Sequence, residues 1–314
     1  MKIVTFNGGK GGYILLLGLK KLDADITAVF SAFDSGGSTG KLRKEFGGIA
    51  LGDLRRGFLA LGSDEGKFKI MKEFLTKRFQ KDSSLNGHNL GNLMLFSLNI
   101  QKDPKSLEKA KQIFGLKEKH NILPPSFDDC NLYAELEDGS IIEGETNIDV
   151  PKHNTELKIR RVFLKPDAVA CEETLKEIET ADAIVIGPGD LYSSIIQNFL
   201  VKGIPEAIQK SRAKKIYVAN TMTKLGETEN FKVSNFVKEI EKYIGCSLDC
   251  VIVNDNNNLD KKNVEDLHLS FVECDENNLN KMNIKTVIKK VVNKSRPDTH
   301  NSEKLAEAIM EVIG

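Results

Sequence analysis

The chain has 314 residues, of which 40% are hydrophobic and 29% are charged, a balance typical of soluble globular proteins. The 45 lysines and arginines match the 45 aspartates and glutamates, so the composition gives no overall attraction to nucleic acid. No apolar run approaches the roughly 20 residues that span a bilayer, and the N-terminus lacks the pattern of a signal peptide. The five cysteines are scattered and odd in number, which is typical of free thiols in a reducing cytoplasm. We therefore expect a cytoplasmic protein that binds neither nucleic acid nor a membrane.

The N-terminal segment predicts a strand, a glycine-rich turn and a helix. Lys2–Phe6 is strand-like, and Ile14–Leu19 is an apolar run with helical character. This layout is typical of a mononucleotide-binding unit, in which glycines let a phosphate approach the backbone at a helix N-terminus. The turn is not G-x-G-x-x-G, which argues against a nicotinamide dehydrogenase. The residues expected to contact a phosphate here are Gly8, Gly9, Lys10, Gly11 and Gly12.

The second predicted strand, Ile26–Phe33, leads into the most informative stretch of the chain, residues 34–43. This stretch combines glycines, hydroxyls, a carboxylate and two cations. Free backbone N–H groups at glycines form an anion-binding concavity, to which hydroxyls and cations add donors. We predict a phosphate cradle, with a solvated turn as the alternative. The expected ligand-binding residues are Asp34, Gly36, Gly37, Ser38, Thr39, Gly40 and Arg43.

The cradle is not a Walker A sequence. That pattern requires a glycine where Ser35 stands and a hydroxyl residue where Leu42 follows Lys41. A standard P-loop ATPase is therefore excluded.

Two further polar segments precede predicted helices. A helix that begins near Asp53 would place Arg55 in its first turn, where the helix dipole disfavours a cation. Either an anionic ligand or a surface ion pair explains such a cation, and the sequence leaves both open. The segment after Gly87 crowds three polar side chains between glycines, and we expect these side chains to contact a ligand: His88, Asn89 and Asn92.

The pattern changes between about 130 and 165. Leu132–Leu136 and Ile141–Glu143 flank a hairpin turn, and Ile159–Leu164 is suited to pair with them. We interpret this region as a small β insertion in a single domain that spans residues 1–314.

The second half of the chain returns to alternating strands and helices. Ala183–Ile186 is a fully apolar strand of the kind buried in parallel sheets. The turn that follows contains Ser193 and Ser194, which either cap the next helix or contact an anion.

Another polar loop follows the predicted strand Lys215–Ala219. In open α/β sheets the ligand lies in the crevice outside the carboxyl ends of the strands. We therefore expect the loops at Gly8, Asp34, Gly187 and Asn220 to meet around one ligand. The residues that the last two loops are expected to contribute are Gly187, Pro188, Gly189, Asp190, Tyr192, Asn220, Thr221 and Lys224.

Five motifs, in order along the chain, resemble those of the gluconeogenesis-factor (YvcK-like) family. Residues 34–43 resemble its D-D-G-G-S-S-G-R-L-R loop, and residues 52–55 resemble its G-D-I-R. Residues 87–92, 187–194 and 220–228 resemble its G-H-x-L-G-N, G-P-G-S-L-Y-T-S and N-x-M-T-x-x-G-E-T.

The chain also departs from the family pattern at several positions. The family usually has G-G-G-T-G-L in the first loop, where this chain has Lys10 and Gly11 in place of a glycine and the threonine. Ser35 replaces a second aspartate, which weakens a two-carboxylate metal site, and Asp190 replaces a serine.

The resemblance implies a Rossmann-like, doubly wound α/β fold with a mostly parallel sheet, shared with CofD-like 2-phospho-L-lactate transferases. It also implies a cytoplasmic homodimer that binds a nucleotide sugar such as a UDP-sugar. The implied role lies in carbon metabolism, cell-wall precursor supply and regulation of cell shape, with a regulatory protein partner.

Two functions follow, and the sequence leaves open whether catalysis occurs. The first is a regulatory protein that binds a nucleotide sugar without turnover. The alternative is a transferase that moves a phospho-lactyl type group from a nucleotide donor to a deazaflavin acceptor. In that case Asp34 and then Asp53 are the catalytic candidates, with Mg²⁺ as cofactor and Arg43 and Arg55 steadying phosphate charge. No residue is assigned as a metal ligand.

Overall fold

The computed structural model describes residues 1–80, 83–100, 103, 105–256, 270–293 and 296–314. Its centre is a sheet of seven parallel strands, numbered here in chain order. These strands are β1 (Lys2–Asn7), β2 (Asp25–Phe30), β3 (Asn121–Leu123), β7 (Ala183–Ile186), β8 (Lys214–Val218), β9 (Cys250–Asn254) and β10 (Lys285–Lys289).

The strands lie in the order β10-β9-β8-β7-β1-β2-β3. The chain builds one half outward from β1 and the other half outward from β7, so the direction of winding reverses between these two strands. Ligand sites of open α/β sheets lie at such a switch point.

Helices cover both faces of the sheet, as the apolar strands require. One buried apolar cluster holds side chains of α1 (Gly9–Leu19), α3 (Gly52–Leu61), α6 (Ser106–Phe114) and the C-terminal helix Ser302–Ile313. The opposite cluster includes side chains of α8 (Glu172–Glu179), α9 (Ile196–Phe199), α10 (Ile204–Lys210) and α11 (Val233–Ile244). Further helices among the described residues are α2 (Gly37–Phe46), α4 (Gly66–Thr76), α5 (Leu90–Ser97), a π-helical turn at Leu191–Ile195 and the helix Glu276–Lys281.

The predicted β insertion is confirmed. Strand β4 (Asn131–Leu136) pairs antiparallel with both β5 (Ile141–Glu143) and β6 (Ile159–Lys165). Alternate residues of β4 are buried and pack onto the main sheet's apolar cluster, which fixes the insertion on one face. A short helix, α7 (Glu145–Asp149), follows β5. A two-stranded ribbon of β11 (Val292–Asn293) and β12 (Arg296–His300) lies near the C-terminus.

The predicted strands of the main sheet are also confirmed, with ends that shift by up to three residues. Sequence reasoning missed the two edge strands: β3 has only three residues, and β10 is only partly buried. The first helix begins at Gly9 rather than Ile14, so the glycines form its first turn. Within the described ranges, no helix is long and apolar enough to cross a membrane.

Candidate ligand-binding site

Three adjoining cavities lie at the switch point of the sheet. The central cavity, of about 430 Å³, lies beyond the carboxyl ends of β1, β2 and β7. A second cavity, of about 370 Å³, shares Lys10 and Asp190 with it. A third, which we call the basic pocket, has about 360 Å³ and shares Lys10, Arg55 and Arg56 with the central cavity. The shared walls make the three cavities compartments of one site.

Close packing of backbone brings the predicted loops together. A Cβ atom on Gly8 would lie 2.3 Å from the Cβ of Ser194, and one on Gly11 would lie 2.5 Å from the carbonyl oxygen of Pro188. Neither space admits a side chain, so these glycines allow the first loop to touch the loop after β7. The side chain of Asn220 donates to the carbonyl of Gly189 over 2.8 Å and ties the loop after β8 to the same group. Three of the four expected loops, those at Gly8, Gly187 and Asn220, are therefore in contact, and the Asp34 loop borders the central cavity together with Gly9 and Asp190.

The predicted residues divide among these compartments. Those on the wall of the central cavity are Gly9, Lys10, Asp34, Gly36, Gly37, Ser38, Thr39, Asp53, Arg55, Asn92 and Asp190. Those in the second cavity are Lys10, Gly11, Pro188, Gly189, Asp190, Asn220, Thr221 and Lys224, and Asn89 lines the basic pocket. Those outside all three linings are Gly8, Gly12, Gly40, Arg43, His88, Gly187 and Tyr192.

Arg55 is a buried cation on the wall of the central cavity. Its side chain is 8% exposed, and its Nε donates to the Oδ1 of Asn92 over 2.7 Å. In the part of the chain that the structure describes, Arg55 forms no ion pair. Burial and then the charges of Arg56 and Arg78 lower its pKa to about 10. The charge of Asp53 acts on Arg55 in the opposite direction. Among the described residues, however, no carboxylate lies within ion-pair distance of this guanidinium, as a fully paired buried charge would require.

Asp34 and Glu145 form a carboxyl pair on the wall of the same cavity. Burial raises the pKa of Asp34 above its ordinary value, and burial together with the charge of Asp34 raises the pKa of Glu145 to about 9. Two carboxyl groups this close share a proton at neutral pH, because like charges disfavour double ionisation. The amide of Gly36 donates to Asp34 over 2.7 Å. Such a pair both donates and accepts hydrogen bonds, as a sugar hydroxyl requires.

The β insertion supplies Glu145 and so completes the cavity. Thr146, also in α7, is bonded to Ser35: the Ser35 hydroxyl donates to the Thr146 Oγ1, and the Thr146 amide donates back, each over 3.1 Å. The insertion therefore contributes a wall of the site as well as a covering layer.

Asp53 lies on the cavity wall, where it holds the first turn of α1. Its Oδ2 accepts from the amide of Gly9 over 2.9 Å, and its Oδ1 accepts from Arg56. The carboxylate thus occupies the position at a helix N-terminus that favours an anion. Asp53 does not cap its own helix, whose N-cap residue is Leu51.

Arg43 and His88 contact the residues of the predicted phosphate cradle but do not line the cavities. The guanidinium of Arg43 donates to the carbonyls of Asp34, Gly48 and Cys130 and to the carboxylate of Asp129. The imidazole of His88 lies 3.2 Å from the hydroxyl of Ser38. The structure thus gives these two side chains a bracing position rather than a place in the cavity.

Asn89 and Tyr192 also have structural positions. The Asn89 side chain accepts from the amides of Gly91 and Asn92 and caps α5. Tyr192 is 2% exposed, and burial raises the pKa of its hydroxyl.

Lys224 lies among three carboxylates between the central and second cavities. Its Nζ is 2.8 Å from Asp190 and 3.0 Å from Glu227, and it also contacts Asp149. Burial opposes the charge of Lys224, but Glu227 and Asp190 raise its pKa above the ordinary value. The oxygens of the three carboxylates lie within 4.8 Å of one another, a spacing suited to a cation. The ammonium group of Lys224 supplies that positive charge.

The cavity-lining residues that sequence reasoning missed include Glu145, Arg78 and His300. Glu145 belongs to the insertion. Arg78 follows α4, a charged helix whose sequence indicates a purely structural role. His300 ends the ribbon strand β12 and lines the second cavity. None carries a local motif, because each reaches the site only through tertiary packing.

Comparison with known proteins agrees with this architecture. The sequence profile of a family described as "2-phospho-L-lactate transferase CofD" matches residues 3–292. A crystal structure of a UPF0052-family protein from Bacillus halodurans superposes with a TM-score of 0.91 at 35% identity, with 98% of each chain covered. The fold and the profile thus define a CofD-like α/β protein with its site at the switch point.

Comparison with individual relatives places the chain in one family within this CofD-like class. The gluconeogenesis factor of Bacillus subtilis is 35% identical over 319 residues, which cover 99% of this chain and 98% of the relative. A relative from Thermotoga maritima is 42% identical over 325 residues, with 99% of each chain covered. The chain belongs to the gluconeogenesis-factor family, as its five motifs predict.

Proposed function

We propose that this protein binds a nucleotide sugar, such as a UDP-sugar, and acts as a cytoplasmic regulatory protein in carbon metabolism, cell-wall precursor supply and cell shape. The observation that carries the binding proposal is the buried guanidinium of Arg55, which faces a cavity without an acidic partner among the described residues. A diphosphate supplies the missing negative charge.

The rest of the cavity suits the other parts of such a ligand. Lys10, Arg56 and Arg78 surround the same space as Arg55 and extend the positive wall. The carboxyl pair Asp34 and Glu145, which lines the same cavity, offers both a donor and acceptors for sugar hydroxyls. The volumes of 430 Å³ and 370 Å³ fall in the range of roughly 300–1,000 Å³ that small-molecule sites occupy.

Thermal unfolding with a panel of nucleotides tests this proposal. We expect UDP-glucose to raise the melting temperature more than ADP-glucose, uridine or inorganic phosphate, because a ligand that binds only the folded state stabilises it. Arg55→Ala should abolish the rise. The absence of any rise with uridine or guanosine nucleotides would contradict the proposal.

A transferase is the second candidate, and the carboxyl pair is the observation that favours it. The pKa of Glu145, at about 9, keeps a proton available at neutral pH next to Asp34. Asp34 is the leading residue for proton transfer in this candidate, with Asp53 second. If Mg²⁺ takes part, Asp34 and Glu145 offer it carboxyl oxygens once the shared proton has left.

Incubation with a deazaflavin acceptor and a nucleotide-activated phospho-lactate separates the two candidates. A product with the added phospho-lactyl group, detected by mass spectrometry, supports the transferase. Nucleotide binding without any such product contradicts the transferase and favours the regulatory function. We also infer a homodimer and a regulatory protein partner from the family, and light scattering in solution tests the dimer.

A further inference from the structure

The basic pocket differs from the central cavity in the charges on its wall. Four cations line it: Lys10, Arg55, Arg56 and Arg78. The other described residues of its wall are Tyr13, Thr76 and Asn89, none of which is acidic. The central cavity shares the four cations but also has carboxyl groups on its wall. An anionic group in the basic pocket therefore meets only positive and neutral side chains among the described residues.

Hydrogen bonds of the backbone hold Arg78 at this pocket. The amide of Phe79 donates to the carbonyl of His88 over 2.8 Å, and Arg78 itself forms a β-bridge with Asn89. The guanidinium donates from Nη1 to the carbonyl of Gly87 over 2.6 Å. Arg78 is exposed, yet these bonds fix its position beside the wall of the pocket.

The cations of the pocket are short of negative partners. Within the ranges that the structure describes, Lys10, Arg55 and Arg78 have no carboxylate within ion-pair distance, and Arg56 is paired with Asp53. The charges of Arg56 and Arg78 contribute to the lowered pKa of Arg55, so these cations are close enough to repel one another. Such a cluster of like charges is destabilising, and a bound anion offsets that cost.

A diphosphate alone does not balance this cluster. It carries one negative charge on each phosphate, so it leaves one of the three unpaired cations without a counter-charge. Arg78 is the candidate for that cation, because its neighbours Thr76 and Asn89 line the basic pocket and not the central cavity. Neither neighbour competes for the anion: the Thr76 hydroxyl bonds to carbonyls of its own helix, and the Asn89 side chain caps α5.

We propose that the basic pocket receives a second anionic group of the ligand, a carboxylate carried by the sugar, and that Arg78 pairs with it. A guanidinium binds a carboxylate through two parallel hydrogen bonds. The proposal rests on the proposed function and narrows the ligand to nucleotide sugars whose sugar is acidic.

The sugar is the part of the ligand that adjoins this pocket. The proposed function places the sugar hydroxyls in the central cavity, at Asp34 and Glu145. The basic pocket shares all four of its cations with that cavity, whereas among the described residues it shares Lys10 alone with the second cavity. A substituent that leaves the sugar therefore reaches Arg78 without crossing the rest of the ligand.

Titration calorimetry with two matched pairs of probes tests the proposal on the unmodified protein. UDP-glucuronate is compared with UDP-glucose, and UDP-N-acetylmuramate with UDP-N-acetylglucosamine. Each pair shares its nucleotide and diphosphate, and only the first member has a carboxylate on the sugar. The two carboxylates leave the ring at different positions. We expect at least one acidic member to bind about tenfold more tightly than its neutral partner.

Variants assign this preference to Arg78. Arg78→Ala should bring the affinity ratio of the responsive pair close to one, whereas Arg78→Lys keeps the charge and should retain part of the preference. Lys41→Ala is the matched control for a nearby charge. Lys41 is exposed and donates to the carbonyl of Asn86, next to the Gly87 carbonyl that Arg78 contacts, but it lines none of the three cavities. This control should keep the full ratio.

The outcomes separate the acidic sugar from the proposed function. If neutral and acidic members of both pairs bind equally, the carboxylate position is overturned while nucleotide-sugar binding stands. A full preference in Arg78→Ala overturns it as well, and so does an equal loss in Lys41→Ala, since the charge would then act from a distance. If no uridine nucleotide binds, both proposals fail. Thermal unfolding without ligand reports whether each variant has folded.

Discussion

The surroundings of two arginines, Arg43 and Arg55, differ although their sequence context suggests the same role. Both lie near predicted phosphate-binding turns, and both are buried, with 9% and 8% of their surface exposed. Arg43 has three backbone carbonyls and the carboxylate of Asp129 around its guanidinium. Arg55 has the side chain of Asn92.

The difference separates a cation whose charge the protein already neutralises from one whose charge has no partner within ion-pair distance among the described residues. A buried guanidinium that has all its donors paired stabilises the fold and has little left to offer a ligand. A buried guanidinium with few acceptors costs stability until an anion arrives. The residues around each arginine, rather than its burial or its motif, therefore decide its role.

Arg43→Ala should have the largest effect, on stability. Five groups lose a donor, including the carboxylate of Asp129, and we expect the free energy of unfolding to fall by about 3 kcal/mol. Urea denaturation followed by circular dichroism measures this change. Arg43→Lys keeps the charge but reaches fewer acceptors, so its free energy of unfolding should lie between those of the parent and Arg43→Ala. A variant as stable as the parent would remove the distinction between the arginines.

Arg55→Ala should affect binding instead. We expect UDP-sugar affinity to fall about a hundredfold, because the phosphate loses a desolvated cation. The free energy of unfolding should change by less than about 1 kcal/mol, since the lost charge was unpaired. Calorimetric titration and urea denaturation together give both numbers. Arg55→Lys is the control that retains charge, and unchanged affinity in Arg55→Ala would count against the phosphate position.

The pair Asp34 and Glu145 extends the comparison from buried arginines to buried carboxyl groups. The folded state raises the pKa of Glu145 from 4.5 to about 9, so the folded protein holds a proton that the unfolded chain releases. This contribution to stability is therefore present below about pH 4.5 and is lost as the pH rises towards 9. Glu145→Gln keeps the hydrogen-bonding shape without the ionisation.

Unfolding experiments at pH 5 and pH 8.5 measure this effect. Between these values we expect the parent to lose about 1–2 kcal/mol more than Glu145→Gln, after allowance for relaxation around the pair. Glu156→Gln, at an exposed position, is the matched control and should follow the parent. Parallel curves for the parent and Glu145→Gln would show that the two carboxyls do not share a proton.

Arg56→Ala should have the smallest effect. Its side chain is 44% exposed and already paired with Asp53, so it behaves more like a surface ion pair than like Arg55. We expect UDP-sugar affinity to fall about threefold to tenfold. Arg160→Ala, which removes an exposed arginine paired with Glu135 on the insertion, is the control and should leave affinity unchanged. An effect as large as that of Arg55→Ala would contradict the ranking of the arginines by whether their charge is paired.

Much of the fold follows from local sequence features. The buried strands of the main sheet and the hairpin of the insertion have short-range hydrophobic patterns, and the glycine turns mark the strand ends. The edge strands β3 and β10 lack such a pattern, because an edge position is short or only partly buried. The predicted start of α1, at Ile14, was also wrong. Helix propensity disfavours glycine, whereas close packing against Ser194 and Pro188 requires glycine in this turn.

The sequence by itself determined the buried strands of the main sheet, the hairpin of the insertion and the family, because these depend on residues close together in the chain. Only the tertiary structure decided which polar side chains line the cavities and which are paired within the protein. Arg43 meets Asp129 across 86 positions, and Glu145 meets Ser35 across 110. Whether a charge is neutralised or left open depends on such distant partners, because electrostatic and hydrogen-bond energies depend on separation in space.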